Sequence, residues 1–126
     1  MYERKAEKDI RCPLEYAMDV FGGKWKSRVI CLLNEKGVMR YSELKKRLSN
    51  VTDTVLASAL KEMQESELVL RTQYSEIPPR VEYSLTKKGK SVVPLLGSMC
   101  KWAAAYQEPE EEIKYPLCNN CMVIKR

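Results

Sequence analysis

The sequence YSELKKRLSNVTDTVLASALKEMQES, residues 41–66, contains two helix patterns separated by a short break. The first pattern predicts a short helix that Ser42 can cap and that ends near Asn50. The second predicts a helix that Thr52 or Asp53 can cap and that ends where the quoted stretch ends. An apolar stripe with intervals of four and three residues gives this second helix one buried face: Leu56, Leu60 and Met63.

Small and polar residues occupy the face opposite this stripe: Thr54, Ala57, Ser58 and Lys61. Such a face lets a helix backbone come close to base edges in a major groove about 12 Å wide. The shorter helix carries Lys45, Lys46 and Arg47 on its outer side. Such cations are ordinarily a solvated helix face, but beside this pattern they are candidates for phosphate contacts.

Residues 12–33, CPLEYAMDVFGGKWKSRVICLL, predict two further helices upstream. Pro13 suits the first turn of the first helix, which ends at Phe21. Its predicted buried stripe is Leu14, Ala17, Met18 and Phe21. After a pair of glycines a second helix runs to about Glu35, and Gly37 stops it. Its start carries cations that can meet phosphates, among them Lys24 and Lys26.

Downstream, Leu68–Tyr74 and Val81–Leu85 predict two strands that pair as a hairpin, because the segment between them is rich in turn formers. Residues 38–41 form a short extended segment. A long helix follows Thr86, and its apolar surface is too broad for one short domain to bury, which favours another chain over its own domain as the partner. This surface comprises Val92, Leu95, Leu96, Met99, Trp102, Ala103 and Tyr106.

This order of elements predicts a mainly α fold with a small β-hairpin wing. It is a winged helix-turn-helix with an N-terminal helix and a long C-terminal dimerisation helix, in which the second helix of the quoted stretch enters the major groove. Arg80 lies in the hairpin, where an arginine can reach a minor groove or a phosphate. We expect a charged arm at 1–11, one domain at 12–107, and an acidic, cysteine-containing tail at 108–126.

Composition narrows the function further. The 126 residues carry a net charge of +5 and no histidine. The missing histidine excludes Ser-His-Asp and Cys-His sites and every histidine-containing zinc site. We therefore expect a protein that is not an enzyme and has no cofactor or resident metal. The charged N-terminus and the lack of a long apolar run indicate a cytoplasmic protein that does not enter a membrane.

Five segments in this order resemble the HxlR-type transcriptional regulators, relatives of the MarR-type winged-helix proteins, over roughly residues 12–106. They are CP at 12–13, GGKW at 22–25, RYSELKKRL at 40–48, LASALKEM at 56–63 and VEYSLTKKG at 81–89. The resemblance implies a homodimer on an inverted-repeat operator. It also implies that a cysteine just before the first helix, here Cys12, senses electrophiles or oxidants, as it does in several members. Glu67, where many relatives have glycine, predicts a differently shaped helix end.

The five cysteines have separate interpretations. Cys12 is a sensor thiol, since a helix N-terminus and neighbouring cations favour the thiolate, or simply a small residue that begins a helix. Cys31 lies among apolar residues and is a core residue. Cys100 is an interface residue or a second thiol that pairs with Cys12. Cys118 and Cys121 form a lone CxxC, either half of a zinc site, a dithiol, or two ordinary thiols of a tail.

The predicted function is a DNA-binding transcriptional regulator, a homodimeric repressor whose operator affinity changes with thiol chemistry at Cys12. The residues expected to face bases are Thr54, Ala57, Ser58 and Lys61. The residues expected to hold the DNA backbone are Lys24, Lys26, Lys45, Lys46 and Arg80. Two alternatives stay open: a thiol-disulfide or metal-handling protein that uses Cys118 and Cys121, and a regulator that senses a small ligand without a redox switch.

Overall fold

A computed structural model of the chain describes residues 9–107. In this part of the chain five helices and three strands follow one another: α1 (Pro13–Phe21), α2 (Lys26–Lys36), β1 (Val38–Arg40), α3 (Tyr41–Leu48), α4 (Asp53–Glu65), β2 (Val69–Tyr74), β3 (Arg80–Leu85) and α5 (Lys87–Tyr106). This order confirms the predicted fold class. The hairpin of β2, β3 and the loop between them, residues 69–85, is called the wing below.

The strands form one antiparallel sheet in the order β1-β3-β2. Tyr83 pairs with Met39 on one side and with Arg71 on the other, so the short extended segment before α3 is the third strand of the wing sheet. One face of the sheet packs on the helices, because Met39, Val69, Tyr83 and Leu85 are buried. The wing is thereby anchored to the body of the domain at its base.

Helix α2 is the centre of the core. Val29, Ile30, Leu32 and Leu33 are at most 1% exposed. They share one cluster with Leu44 from α3, with the stripe of α4, and with residues from the sheet and α5. A buried leucine or isoleucine stabilises the fold by about 1.5–3 kcal/mol relative to an exposed one. The cluster therefore fixes α4 relative to the rest of the domain.

Helix α1 buries only part of the predicted stripe: Phe21 is buried and Ala17 packs against the core, as predicted. Val20 and Phe21 are buried, whereas Leu14 is 67% exposed and Met18 is 44% exposed. The helix bounds agree with the sequence prediction, but only the second half of the helix, from Ala17 onwards, lies against the described core. The prediction that Leu14 and Met18 are buried is therefore wrong within the chain.

Helix α5 divides its apolar residues between two environments. Val92 and Leu96 are buried in the domain's own core. The residues Leu95, Met99, Trp102 and Tyr106, called the α5 ridge below, are 51–76% exposed and lie four, three and four positions apart on one helix side. Trp102 and Tyr106 contact each other with ring centroids 5.3 Å apart. Only the first part of α5 thus packs on its own domain.

The end of α4 keeps the geometry that glycine usually provides. Glu67 has a φ of 63°. The Leu68 N–H donates to the Met63 carbonyl at 2.8 Å, and the Glu67 N–H donates to the Gln64 carbonyl at 3.0 Å. These two bonds are those of a Schellman motif, and both apolar partners, Met63 and Leu68, are fully buried. The prediction that Glu67 changes the shape of this helix end is therefore wrong.

The start of α5 is joined to the segment that follows α4. The Thr86 hydroxyl donates to the Glu67 carbonyl at 2.6 Å and accepts the Gly89 N–H at 3.0 Å. A Cβ on Gly89 would collide with the Leu68 carbonyl oxygen, so this close approach of α5 requires glycine. The glycine of the VEYSLTKKG segment is therefore required for the packing of α5 against the segment after α4.

Two helix starts differ from the sequence prediction. Helix α3 begins at Tyr41 with Arg40 as its N-cap, rather than with Ser42, because the Glu43 carboxylate accepts the Arg40 N–H at 2.8 Å. Helix α2 begins at Lys26, with Trp25 as its N-cap. None of the helices between residues 9 and 107 has the length and hydropathy needed to span a membrane.

Candidate nucleic-acid interface

Helix α4 presents the predicted outward face. Thr54, Ala57, Ser58 and Lys61 are all exposed, and Leu56, Leu60 and Met63 on the opposite side are buried. Side chains at these positions leave the backbone of α4 accessible, because three of the four are small. A helix of this kind can approach base edges closely.

The N-terminus of α4 is held from two directions. The Thr52 hydroxyl caps the helix by accepting the Val55 N–H at 3.2 Å. The Tyr41 hydroxyl, at the start of α3, donates to the Asp53 carboxylate at 3.0 Å. Burial, followed by this bond to Asp53, raises the pKa of Tyr41. The contact fixes the angle between the two helices.

The predicted backbone-binding cations fall into two groups. Lys24 and Lys46 are exposed, and Lys45 Nζ lies 3.9 Å from the Asp53 carboxylate. Lys26 differs, because its Nζ lies 2.7 Å from the Glu62 carboxylate and its side chain is only 16% exposed. The pair links the start of α2 to α4. Lys26 is thus a packing residue of the free protein as well as a cation.

Arg80 is also occupied in the free protein. Its guanidinium donates to the carboxylates of Glu76 and Glu82, both at 2.8 Å, and lies 3.9 Å from the ring centroid of Tyr74. The bond to Glu76 raises the pKa of Arg80 further above its usual value. The structure places Arg80 in the wing, as predicted, but its charge is balanced there.

Cys12 is an exposed thiol at the N-cap of α1. Its carbonyl accepts the N–H groups of Glu15 and Tyr16, which begins the helix immediately below the thiol. Arg11 pairs with the Glu15 carboxylate at 3.1 Å. Exposure at a helix N-terminus is a setting in which a cysteine can react.

The other cysteines are distributed as follows. Cys31 is partly buried and packs against the core cluster, as predicted. Cys100 is partly buried on α5, beside the α5 ridge in sequence. Cys118 and Cys121 lie outside the described residues. Between residues 9 and 107, no three or more cysteine, aspartate or glutamate side chains are grouped to hold a metal ion.

Two residues with positioning contacts were not predicted from the sequence. Tyr41 is one, and Lys88 is the other. Lys88 Nζ donates to the Ser66 carbonyl at the end of α4 at 2.8 Å and to the Tyr16 hydroxyl of α1 at 3.2 Å. No local pattern reveals either contact, because each depends on how separate elements pack against one another.

The sequence also matches a known family of helix-turn-helix proteins. A profile described as HxlR-like helix-turn-helix matches residues 20–111. The chain belongs to the HxlR family. A helix-turn-helix transcriptional regulator of Methanothermobacter thermautotrophicus is 45% identical over 100 residues, which cover 79% of this chain and 76% of the relative.

Solved structures agree with the HxlR assignment. The redox regulator HypR in its oxidized form matches with a TM-score of 0.71 and 33% identity, over 77% of this chain and 99% of HypR. The reduced form of the transcriptional regulator YodB from Bacillus subtilis matches with a TM-score of 0.70 and 31% identity, over 80% of this chain and 99% of YodB. Like its HxlR relatives, the chain is a transcriptional regulator and not an enzyme, and its family implies that it binds DNA.

Proposed function

We propose that this HxlR-family regulator is a homodimeric repressor that binds an inverted-repeat operator and that loses or gains affinity through chemistry at Cys12. The observation that carries the proposal is the exposed face of α4, small and polar, on a helix whose other side is fully buried. Two such helices must be one DNA turn apart, about 34 Å, or a multiple of it.

In this proposal the residues of α4 that face the major groove are Thr54, Ala57, Ser58 and Lys61. Lys24, Lys45 and Lys46 hold the DNA backbone directly. Lys26 and Arg80 reach phosphates only if they exchange Glu62, Glu76 or Glu82 for DNA. Because bound phosphates release counterions, affinity falls steeply as salt rises.

A second chain on the apolar surface is the other part of the proposal. The α5 ridge is exposed, and so are Leu14 and Met18 of α1. Exposed apolar patches of this kind mark interaction surfaces in soluble proteins. A homodimer would cover these residues and would present two copies of α4 to the two halves of the operator.

The redox part rests on Cys12. The thiol is exposed at a helix N-terminus. Two relatives have been solved in defined redox states: HypR in its oxidized form, and YodB in its reduced form and after diamide treatment. Oxidation or alkylation at Cys12 would alter the position of α1 and, through the dimer, the spacing of the two α4 helices. Cys100, Cys118 and Cys121 are the candidate second thiols.

The test is a salt-dependent binding assay with duplex DNA from the promoter region of the regulator's own gene. Wild type and Cys12→Ser are compared with and without diamide, and Cys31→Ser is the matched control. We expect diamide to change wild-type and Cys31→Ser affinity, reductant to restore it, and Cys12→Ser to be indifferent.

Other outcomes select other functions. Tight binding that diamide does not change would contradict a sensor role for Cys12 and would favour a regulator that senses a small ligand. Failure to bind any duplex at low salt would contradict the DNA-binding role. It would direct attention to the Cys118 and Cys121 pair as the functional group.

A further inference from the structure

A groove separates the α1–α2 turn from α4. One wall is Gly23, Lys24 and Trp25, and the other is Thr54, Val55 and Ser58. Its volume is about 350 Å³. We call it the turn groove. It opens beside the outward face of α4, and it divides that face, because Thr54 and Ser58 line it whereas Ala57 and Lys61 do not.

The turn groove offers hydrogen-bond donors and one lysine that forms no ion pair with the carboxylates of residues 9–107. Thr54 and Ser58 are one helical turn apart on α4, so their hydroxyls follow the same wall. Lys24 is exposed, and its Nζ lies 4.9 Å from the ring centroid of Trp25. Gly23 has a φ of 94°, so backbone without a side chain forms this end of the groove.

The negative charge in the turn groove is already balanced. Glu62 lines it, but its carboxylate lies 2.7 Å from Lys26 Nζ, and both side chains are mostly covered. The pair contributes no net charge, which leaves Lys24 as the cation of the groove lining. An anion is therefore the complementary occupant.

Apolar surface distinguishes this occupant from a free anion. Trp25 is partly buried and packs against the core, and Val55 is 40% exposed. A ring and an aliphatic side chain beside hydroxyls and a lysine suit an alternation of sugar and phosphate. In a helix-turn-helix complex, most hydrogen bonds go to phosphates and sugars from side chains of this kind.

We propose that the sugar–phosphate backbone of one operator strand lies in the turn groove. Thr54 and Ser58 then bind phosphate, and only Ala57 and Lys61 of the outward face remain for base edges. The proposal deepens the proposed DNA-binding function and rests on it. It changes the role of two residues that the sequence assigned to bases.

The experiment measures affinity for an operator and for a panel of duplexes that each change one base pair. The variants are Thr54→Val, Ser58→Ala, Lys24→Gln and Lys61→Met, and Ser98→Ala, an exposed serine of α5, is the matched control. Thermal melting of each variant identifies losses caused by unfolding.

We expect Thr54→Val and Ser58→Ala to weaken binding to every duplex by the same factor, about threefold to tenfold. Lys24→Gln should also weaken binding to every duplex by the same factor. It should make the fall of log affinity with log salt less steep, by about 0.9 for each protomer bound. Lys61→Met should change discrimination at one operator position, because it removes a base contact.

The proposal is overturned if Thr54→Val or Ser58→Ala relaxes preference at a single base pair while binding to the other duplexes stays unchanged. It is also overturned if Lys24→Gln leaves the salt slope at the wild-type value. Wild-type protein that binds no duplex would instead contradict the proposed function itself.

Discussion

Glu67 occupies a left-handed backbone position that most side chains avoid. Its φ of 63° and the two Schellman hydrogen bonds show that the end of α4 keeps this conformation with a glutamate. Because a Cβ costs about 1 kcal/mol in this region, we predict that Glu67→Gly raises the free energy of unfolding by about that amount. Urea denaturation of wild type and variant measures the difference.

The matched control for this prediction is Glu65→Gly, two residues earlier at the last residue of α4, where the backbone is still helical. There glycine loses more backbone entropy on folding and relieves no strain, so the variant should be less stable, by up to about 0.5 kcal/mol. The two glutamate-to-glycine substitutions should thus change the free energy of unfolding in opposite directions. A destabilised Glu67→Gly would contradict the assignment of strain to position 67.

Glu15 gives a pH dependence to the segment around Cys12. Its carboxylate accepts the Arg11 backbone N–H at 2.8 Å and pairs with the Arg11 side chain, and these bonds lower the pKa of Glu15 from 4.5. A group with a lowered folded pKa stabilises the folded state above its unfolded pKa. This stabilisation is lost as pH falls through the folded pKa.

We therefore predict that wild type melts at a higher temperature than Glu15→Gln at pH 7 and that the difference disappears as pH falls below 4.5. Thermal melts at several pH values measure it. In an Arg11→Met background the difference should shrink but persist, because the backbone N–H still donates. A difference that grows as pH falls would refute this account.

Single side chains show what the sequence can predict. Helical periodicity placed Thr54, Ala57, Ser58 and Lys61 on one exposed face, because a face depends only on positions within one helix. The pairs of Lys26 with Glu62 and of Tyr41 with Asp53 could not be predicted, because they depend on how separate helices pack.

Helices and strands were predicted more accurately than the faces they bury. The bounds of α1 agree with the apolar period, yet Leu14 and Met18 are exposed. An apolar stripe shows that a helix has a partner, but it does not show whether that partner belongs to the same chain. The same reason explains why α5 is divided between core and ridge.

The wing is electrically neutral within its own bounds. Residues 69–85 contain two arginines and two glutamates, Arg71, Arg80, Glu76 and Glu82. Arg80 donates to both carboxylates, so its positive charge is neutralised within the hairpin. We predict that Glu76→Gln with Glu82→Gln releases Arg80 and raises DNA affinity by about 1 kcal/mol, roughly fivefold, at low salt.

The decisive comparison repeats the double substitution in an Arg80→Gln background, with binding measured by fluorescence anisotropy. If Arg80 carries the effect, the gain disappears in this background. An equal gain with and without Arg80 would mean that the glutamates merely repel DNA, and the role assigned to Arg80 would be wrong.

Two copies of the molecule are expected to assemble along the α5 ridge. Trp102 is 69% exposed at the middle of the second half of α5, between Met99 and Tyr106 on the ridge. Buried tryptophans are frequent hot spots of interfaces, so Trp102→Glu should raise the dimer dissociation constant at least about 30-fold. Sedimentation equilibrium measures this constant.

The control is Lys101→Glu, an exposed neighbour of Trp102 that lies off the ridge. It should assemble as wild type does. If Trp102→Glu also assembles as wild type does, the α5 ridge is not the dimer interface.

The α5 ridge has a consequence for gene dosage. If two chains must join along it before an operator is bound, then, while most chains are single, the amount of pairs grows with the square of the abundance of the chain. While most operators are also empty, a twofold change in synthesis then alters promoter occupancy by about fourfold. Such a regulator responds more than proportionally to its own expression level, before any oxidant or ligand arrives.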